Sequence, residues 1–226
     1  LLGWKMLNAN IKKSTKPKNE LCKPKSLFHP LFGNVEFILI LILCAIPAKV
    51  ILTGFLYLLV PISLSNLEAS QSEIGRVMML YSLVIIPISP IASRIVDQIG
   101  QNLWTVIFAT IFSGVALFAT YFGENLTMLI SVVAALGFVH AFLKSPLIIA
   151  ALEAAEKTPG VTETSALSFL RTSERIGSVI GPIIVGFLLI KFEFYQIVYS
   201  LGFAVSFLGV IMLFYALAKG DKIVRA

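Results

Sequence analysis

After about residue 35 the chain alternates long apolar runs with short polar breaks, and each run can supply the ~20 residues an α-helix needs to cross the hydrocarbon of a bilayer. The pattern predicts six such helices, over residues 36–64, 73–95, 103–122, 126–152, 164–190 and 196–218. Residues 1–34 differ: Lys16-Pro17-Lys18 and Lys23-Pro24-Lys25 punctuate a polar, non-periodic stretch that reads as a linker. The expected organisation is therefore a basic linker (1–34), a six-helix transmembrane domain (35–218) and a short tail (219–226).

The six runs are not equivalent. The third and sixth contain no ionisable group except phenols and no proline, as suits helices that face lipid. The first and fourth carry Lys49, His140 and Lys144 near mid-depth, together with Pro47 and Pro146. The second holds Pro87 and Pro90, and the fifth Pro182. Polarity and proline thus recur with a period of three helices. Because three is odd, two successive triplets in one chain are inverted relative to each other across the membrane. The expected fold is all-α, built from two inverted three-helix repeats.

Composition sharpens this picture. Hydrophobic residues make up 58% of the chain and charged residues 13%, where soluble proteins carry about 25% charged residues, and the mean hydropathy is +0.92. This is an integral membrane protein. The formal charge of +6 has a local source: Lys5, Lys12, Lys13, Lys16, Lys18, Lys23 and Lys25 precede the first span, against Glu20 alone. A basic run beside a span marks the cytoplasmic side and the anionic leaflet. No aromatic residues interleave with these lysines, which argues against nucleic acid as a partner. With the lysines inside, the breaks at 65–72, 123–125 and 191–195 fall outside, while Arg94, Lys219, Lys222 and Arg225 fall inside. Both ends are then cytoplasmic, in an inner (plasma) membrane. Cys22 lies in the basic segment and Cys44 in an apolar run, so a disulfide between them is not expected. Neither has metal-ligand spacing, and no cofactor is implied. The opening Leu1-Leu2-Gly3-Trp4, without an initiator methionine or a signal-peptide layout, reads as part of a longer protein.

Two local patterns stand out. Between the second and third helices the chain reads SRIVDQIGQN, where Asp97 sits at a helix end and can accept hydrogen bonds from the amino terminus of a neighbouring helix. In the fifth helix Ser173, Gly177 and Gly181 recur every four residues, a small-residue stripe along which another helix can approach closely. Pro182 removes a backbone hydrogen bond there and permits a bend. Arg171, Glu174 and Arg175 occupy the first three turns of that helix, and Arg171 and Glu174, i and i+3, can pair on one face. They serve a gate or an interface, or simply snorkel to the membrane surface.

These features together resemble the carboxy-terminal six-helix half of a major facilitator superfamily transporter. The loop is similar to the family pattern G-x-x-x-D-R-x-G-R-R, matching at Asp97 and Gly100, while Ser93 replaces the first glycine and Gln98, Gln101 and Asn102 replace the basic positions. The run Gly177 to Gly186 is similar to the GxxxGP arrangement of the family's fifth and eleventh helices. The resemblance covers residues 30–218. It implies that the basic segment links two halves, with Leu1–Leu7 ending the last helix of an amino-terminal half. It implies too that Asp97 helps hold the cytoplasmic side closed, and that helices one and four line a central cavity served by alternating access. The implied partners are membrane lipid, the missing six-helix half, a small-molecule substrate and a coupling ion, H+ or Na+.

A charge at the bilayer centre costs about 2.5–3.5 kcal/mol even on mild insertion scales, so Lys49 and Lys144 need compensation. His140 and Lys144, i and i+4, share one side of their helix, which should face protein or water. Either Lys144 donates to carbonyls loosened by Pro146, or it faces a wet cavity. No acid lies near mid-depth in helices one to four, so the reading expects two unpaired ammoniums in a shared cavity and a substrate carrying negative charge. His140 would tune that field near neutral pH. The candidate substrate-binding residues are Lys49, His140 and Lys144. The gating or structural candidates are Asp97, Gly100, Arg171, Glu174, Arg175, Gly177, Gly181 and Pro182. If protons are coupled in this chain, Glu174 or His140 must carry them. No phosphate-binding loop is present, so a gradient supplies the energy. An intramembrane serine protease would need a GxSG-like turn and a partnered histidine, and neither occurs; no catalytic residue is assigned. The alternative is a non-transporting sensory or structural module fused to a signalling domain.

Overall fold

The computed structural model describes residues 33–122, 125–159 and 161–220. Six long helices span them: α1 (Val35–Asn66), α2 (Gln71–Ile99), α3 (Asn102–Leu117, continued by a 3-10 segment Phe118–Phe122), α4 (Leu126–Glu156), α5 (Glu163–Leu188) and α6 (Phe194–Ala218). All but α5 are long and apolar enough to cross a membrane by length and composition; α5 has the length but carries Arg171, Glu174 and Arg175. The linker before Gly33, with Cys22, and the tail beyond Gly220 lie outside the described residues.

Helices α2 and α4 run beyond their expected bounds for local reasons. Helix α2 starts earlier because Ser70 and Glu73 form a reciprocal capping box, and it closes at Gly100, whose φ of 65° suits a left-handed cap with its N–H returned to the Val96 carbonyl. Helix α4 runs on past Leu152 because Ala154 and Ala155, although beyond the apolar run, are buried against the rest of the bundle.

Helix α1 is the irregular one. It contains two π-helical stretches, Leu41–Ala45 and Ile51–Leu59, and each ends two residues before a proline, Pro47 or Pro61. A proline ring clashes with the carbonyl four residues back and leaves it without its usual donor, and widening the preceding turn is one way to relieve the clash.

The packing repeats with the period read from the sequence. Helix α2 packs on α4 and α5 packs on α1; α3 packs on α4 and α6 on α1; α3 and α6 pack on each other. Exchanging α1 with α4, α2 with α5 and α3 with α6 maps this contact pattern onto itself, as two inverted triplets require. Small residues set the closest approaches: Gly177, Gly181 and Gly54 join α5 to α1, while Gly114, Gly202 and Gly209 join α3 to α6. The buried apolar residues form two clusters along the bundle. One includes Phe37, Cys44, Trp104 and Ala154 at the end that holds Gly33 and Gly220; the other includes Phe55, Leu59, Leu129 and Ile197 at the opposite end.

Candidate functional site

Five polar side chains of the spans collect where these two clusters meet. Ala48 belongs to one cluster and Val50 to the other, and Lys49 stands between them. Lys49 from α1, Tyr81 from α2, His140 and Lys144 from α4 and Glu174 from α5 line one recess, whose remaining walls are Ala48, Leu52, Leu143 and Leu147. The recess holds about 20 Å³, room for about one water molecule. As the described residues form it, the recess is too small to enclose an organic solute.

Its electrostatics turn on one carboxylate. Glu174, half-buried, lies with Oε1 3.5 Å from Lys49 Nζ and accepts a 2.8 Å hydrogen bond at Oε2 from Arg171 Nη1. The expectation of two unpaired ammoniums is therefore corrected: Lys49 is partnered across the helix interface. Helices one to four hold no acid near that level in the sequence, and the partner sits on α5, brought within reach by the Gly177–Gly181 stripe. A Cβ at Gly177 would fall 2.9 Å from the Cβ of Lys49, which measures how tightly α5 lies against α1 at that level. Lys144 is exposed and has no carboxylate within 4.0 Å among the described residues. Counted together, Lys49, Lys144 and Arg171 give three positive charges against the single carboxylate of Glu174.

His140 is buried at 4% exposure. Its Nδ1 lies 3.0 Å from the Tyr81 hydroxyl, and the two rings meet edge to face with centroids 5.9 Å apart. Its Nε2 is buried without a hydrogen-bond partner among the described residues. Tyr81 was not singled out by sequence, because one tyrosine in an apolar helix carries no signal of its own. Its contact to α4 follows from the close crossing of α2 and α4 at Gly137, where a Cβ would meet the Tyr81 carbonyl at 3.0 Å.

A second polar cluster, also missed by sequence, ties the helix ends at the Gly33/Gly220 side. The buried Glu36 carboxylate at the start of α1 accepts from Lys157 Nζ at 2.9 Å to both oxygens, and from Lys219 at the end of α6. Beside it, Asn34 caps α1 by accepting from Phe37 N at 3.1 Å, while its amide donates to the Ala154 carbonyl at 2.6 Å and to the Thr158 hydroxyl at 2.9 Å. One side chain thus satisfies an orphan N–H of one helix and an orphan carbonyl of its antiparallel neighbour. The only hint in the sequence was an acid opening an apolar run, with lysines ending two others.

The remaining candidates are scattered. Asp97 is exposed at the end of α2, and its carboxylate has no hydrogen bond or ion pair among the described residues, so the expected contact to the amino terminus of a neighbouring helix is not made there; Gly100 acts as the helix cap. Arg175 is exposed on α5, away from the Glu174 carboxylate that Arg171 takes. Pro182 lies within α5, which continues unbroken through it. No group of three or more His, Cys, Asp or Glu is placed to hold a metal ion among the described residues.

Comparison with known proteins fits this architecture. The chain is 30% identical over 135 residues to Multidrug resistance protein 1 of Bacillus subtilis (strain 168), an alignment covering 60% of this chain and 34% of that protein. The matched stretch thus spans about a third of the relative's length. A family model described as the Major Facilitator Superfamily matches residues 18–225, from within the basic segment to the last residue but one. Together with six packed helices in two inverted triplets, this shows that the chain is an integral membrane protein and belongs to the Major Facilitator Superfamily.

Proposed function

We propose that the chain is the carboxy-terminal half of a secondary active transporter that moves a small anionic solute by alternating access. It would work against an amino-terminal six-helix half and draw on an H+ or Na+ gradient, with both of its ends in the cytoplasm of an inner-membrane protein. The observation that carries this reading is the excess of positive charge around the recess, with Lys144 unpaired among the described residues beside the Lys49–Glu174–Arg171 chain. An ammonium in hydrocarbon is stable only with water or a counter-charge, and a carboxylate or phosphate on the solute supplies that charge where the carboxylates of the described residues do not. The small size of the recess supports a site completed by a second half. Asp97 and Gly100, at the loop between α2 and α3, together with Arg171 and Arg175 at the entrance of α5, would serve the gate.

The test is uptake by the full-length protein in proteoliposomes across a panel of radiolabelled organic and inorganic anions. Lys144→Gln should lower kcat/KM for the transported anion by about 10- to 100-fold, the range for losing a hydrogen bond to a charged group, and Lys49→Gln should lower it less, since Glu174 already engages that lysine. Near-normal anion uptake by the double variant would rule the reading out. A second reading comes from the relative's name: the whole protein contributes to resistance to several drugs. The same liposomes loaded with chemically varied drugs separate the two, because export blind to the charge of the compound and to Lys144→Gln favours the second.

A further inference from the structure

We infer that Glu174 is a built-in counter-anion that masks Lys49 in the empty site, so that an anionic solute meets Lys144 first and gains Lys49 only when Glu174 gives it up to remain on Arg171. The inference rests on the anion-transport reading for its biological meaning. Its physical content stands on the geometry around the recess.

The two contacts of Glu174 differ in kind. The 2.8 Å bond to Arg171 is a well-formed charge-assisted hydrogen bond, whereas 3.5 Å to Lys49 lies beyond the usual N–H···O range and is a looser Coulombic contact. Arg171 is three residues away on the same helix and more than half exposed, at 59%, so it can follow the carboxylate through a small side-chain rotation. The looser partner is the one on a different helix, facing the recess. The charged groups around Glu174 are Lys49 from α1, Lys144 from α4 and Arg171 from its own α5; α2 contributes the neutral Tyr81, hydrogen-bonded to His140. With Glu174 on Lys49, the empty site avoids two bare ammoniums facing each other between walls of Ala48, Leu52, Leu143 and Leu147, where a lower effective dielectric strengthens repulsion. With a bound anion, that repulsion no longer needs Glu174. The exchange lets the same pair of lysines stay compatible with an empty and a loaded site.

The masking can be read without knowing the solute. The probes are the N-hydroxysuccinimidyl ester of acetate and its sulfonated, negatively charged analogue, applied to the purified full-length protein. Acetylation of Lys144 is followed by mass spectrometry, and the quantity read is the rate with the anionic reagent divided by the rate with the neutral one. Glu174→Gln should raise this ratio about three- to tenfold, as removal of a nearby unit charge in a partly wet site does. Lys49→Gln in the native background should change it by less than about twofold, because that charge is already masked. In the Glu174→Gln background the same Lys49→Gln change should reverse most of the gain. A Lys49→Gln effect of equal factor in both backgrounds would overturn the proposal, since charges acting independently give that result. Lys144 unreactive towards both reagents would overturn it as well. If Glu174→Gln does not accumulate, Glu174→Asp decides: the shortened carboxylate keeps Arg171 on its own helix and gives up Lys49 across the recess, so Lys49→Gln in that background should lower the ratio by more than about twofold, and an effect as small as in the native background is contrary to the proposal. Transport enters none of these readings, so additive charges would leave the anion-transport reading intact. Normal uptake by the double lysine variant would instead remove that reading and leave the masking intact.

Discussion

The crossing of α1 and α5 places the Lys49–Glu174 pair, and Gly177→Ala tests whether a bare backbone surface is what permits it. A Cβ at Gly177 would lie 2.7 Å from the Ile46 carbonyl oxygen and 2.9 Å from the Lys49 Cβ, both well inside the ~3.5 Å at which such contacts become favourable. Neither neighbour is the free end of a flexible side chain, so the two helices must part. Overpacking of this kind costs about 1–3 kcal/mol, while alanine gains about 1 kcal/mol over glycine in a helix interior. Gly186, on the same helix, separates the two effects: a Cβ there meets nothing within 4 Å, so Gly186→Ala receives the propensity gain alone. The difference between the two variants isolates the crossing, and Gly177→Ala should be less stable than Gly186→Ala by about 1–3 kcal/mol. The assay is unfolding by sodium dodecyl sulfate in mixed micelles, followed by circular dichroism. Equal midpoints and slopes for the two variants would refute the reasoning.

Glu36→Gln should destabilise the protein by about 1–3 kcal/mol in the same unfolding assay, because the neutral amide gives up its charge-assisted bonds to two lysines at a buried position. Lys157→Gln, at a side chain 55% exposed, should cost less than about 1 kcal/mol, and a reversed order of the two would count against the clustered helix ends. For orientation, a thiol at Ser70→Cys should react with an impermeant maleimide added to intact cells, whereas thiols at Lys18→Cys and Gly220→Cys should react only after permeabilisation; the opposite pattern would invert the topology.

Some of this protein is written in its one-dimensional pattern. Helix length and apolarity are properties of a single segment in a bilayer, so α1 to α6 were readable from their runs. The small-residue stripe at Gly177 and Gly181 and the local Arg171–Glu174 pair were readable from helical periodicity. The period of three in charge and proline forecast the inverted triplets, because chain direction in a membrane alternates by necessity. What the sequence did not disclose are relations between segments far apart in the chain. The partner of Lys49 lies 125 residues away, at Glu174, and Glu36 meets lysines 121 and 183 residues distant. Long-range pairs of this kind leave no spacing signature, since rotation about each helix axis and the choice of neighbour decide which side chains face each other. The π-helical turns before Pro47 and Pro61 were likewise not legible: α2, α4 and α5 carry prolines inside continuous α-helix, so a proline in the sequence does not by itself announce a widened turn, and only the three-dimensional backbone distinguishes the two outcomes.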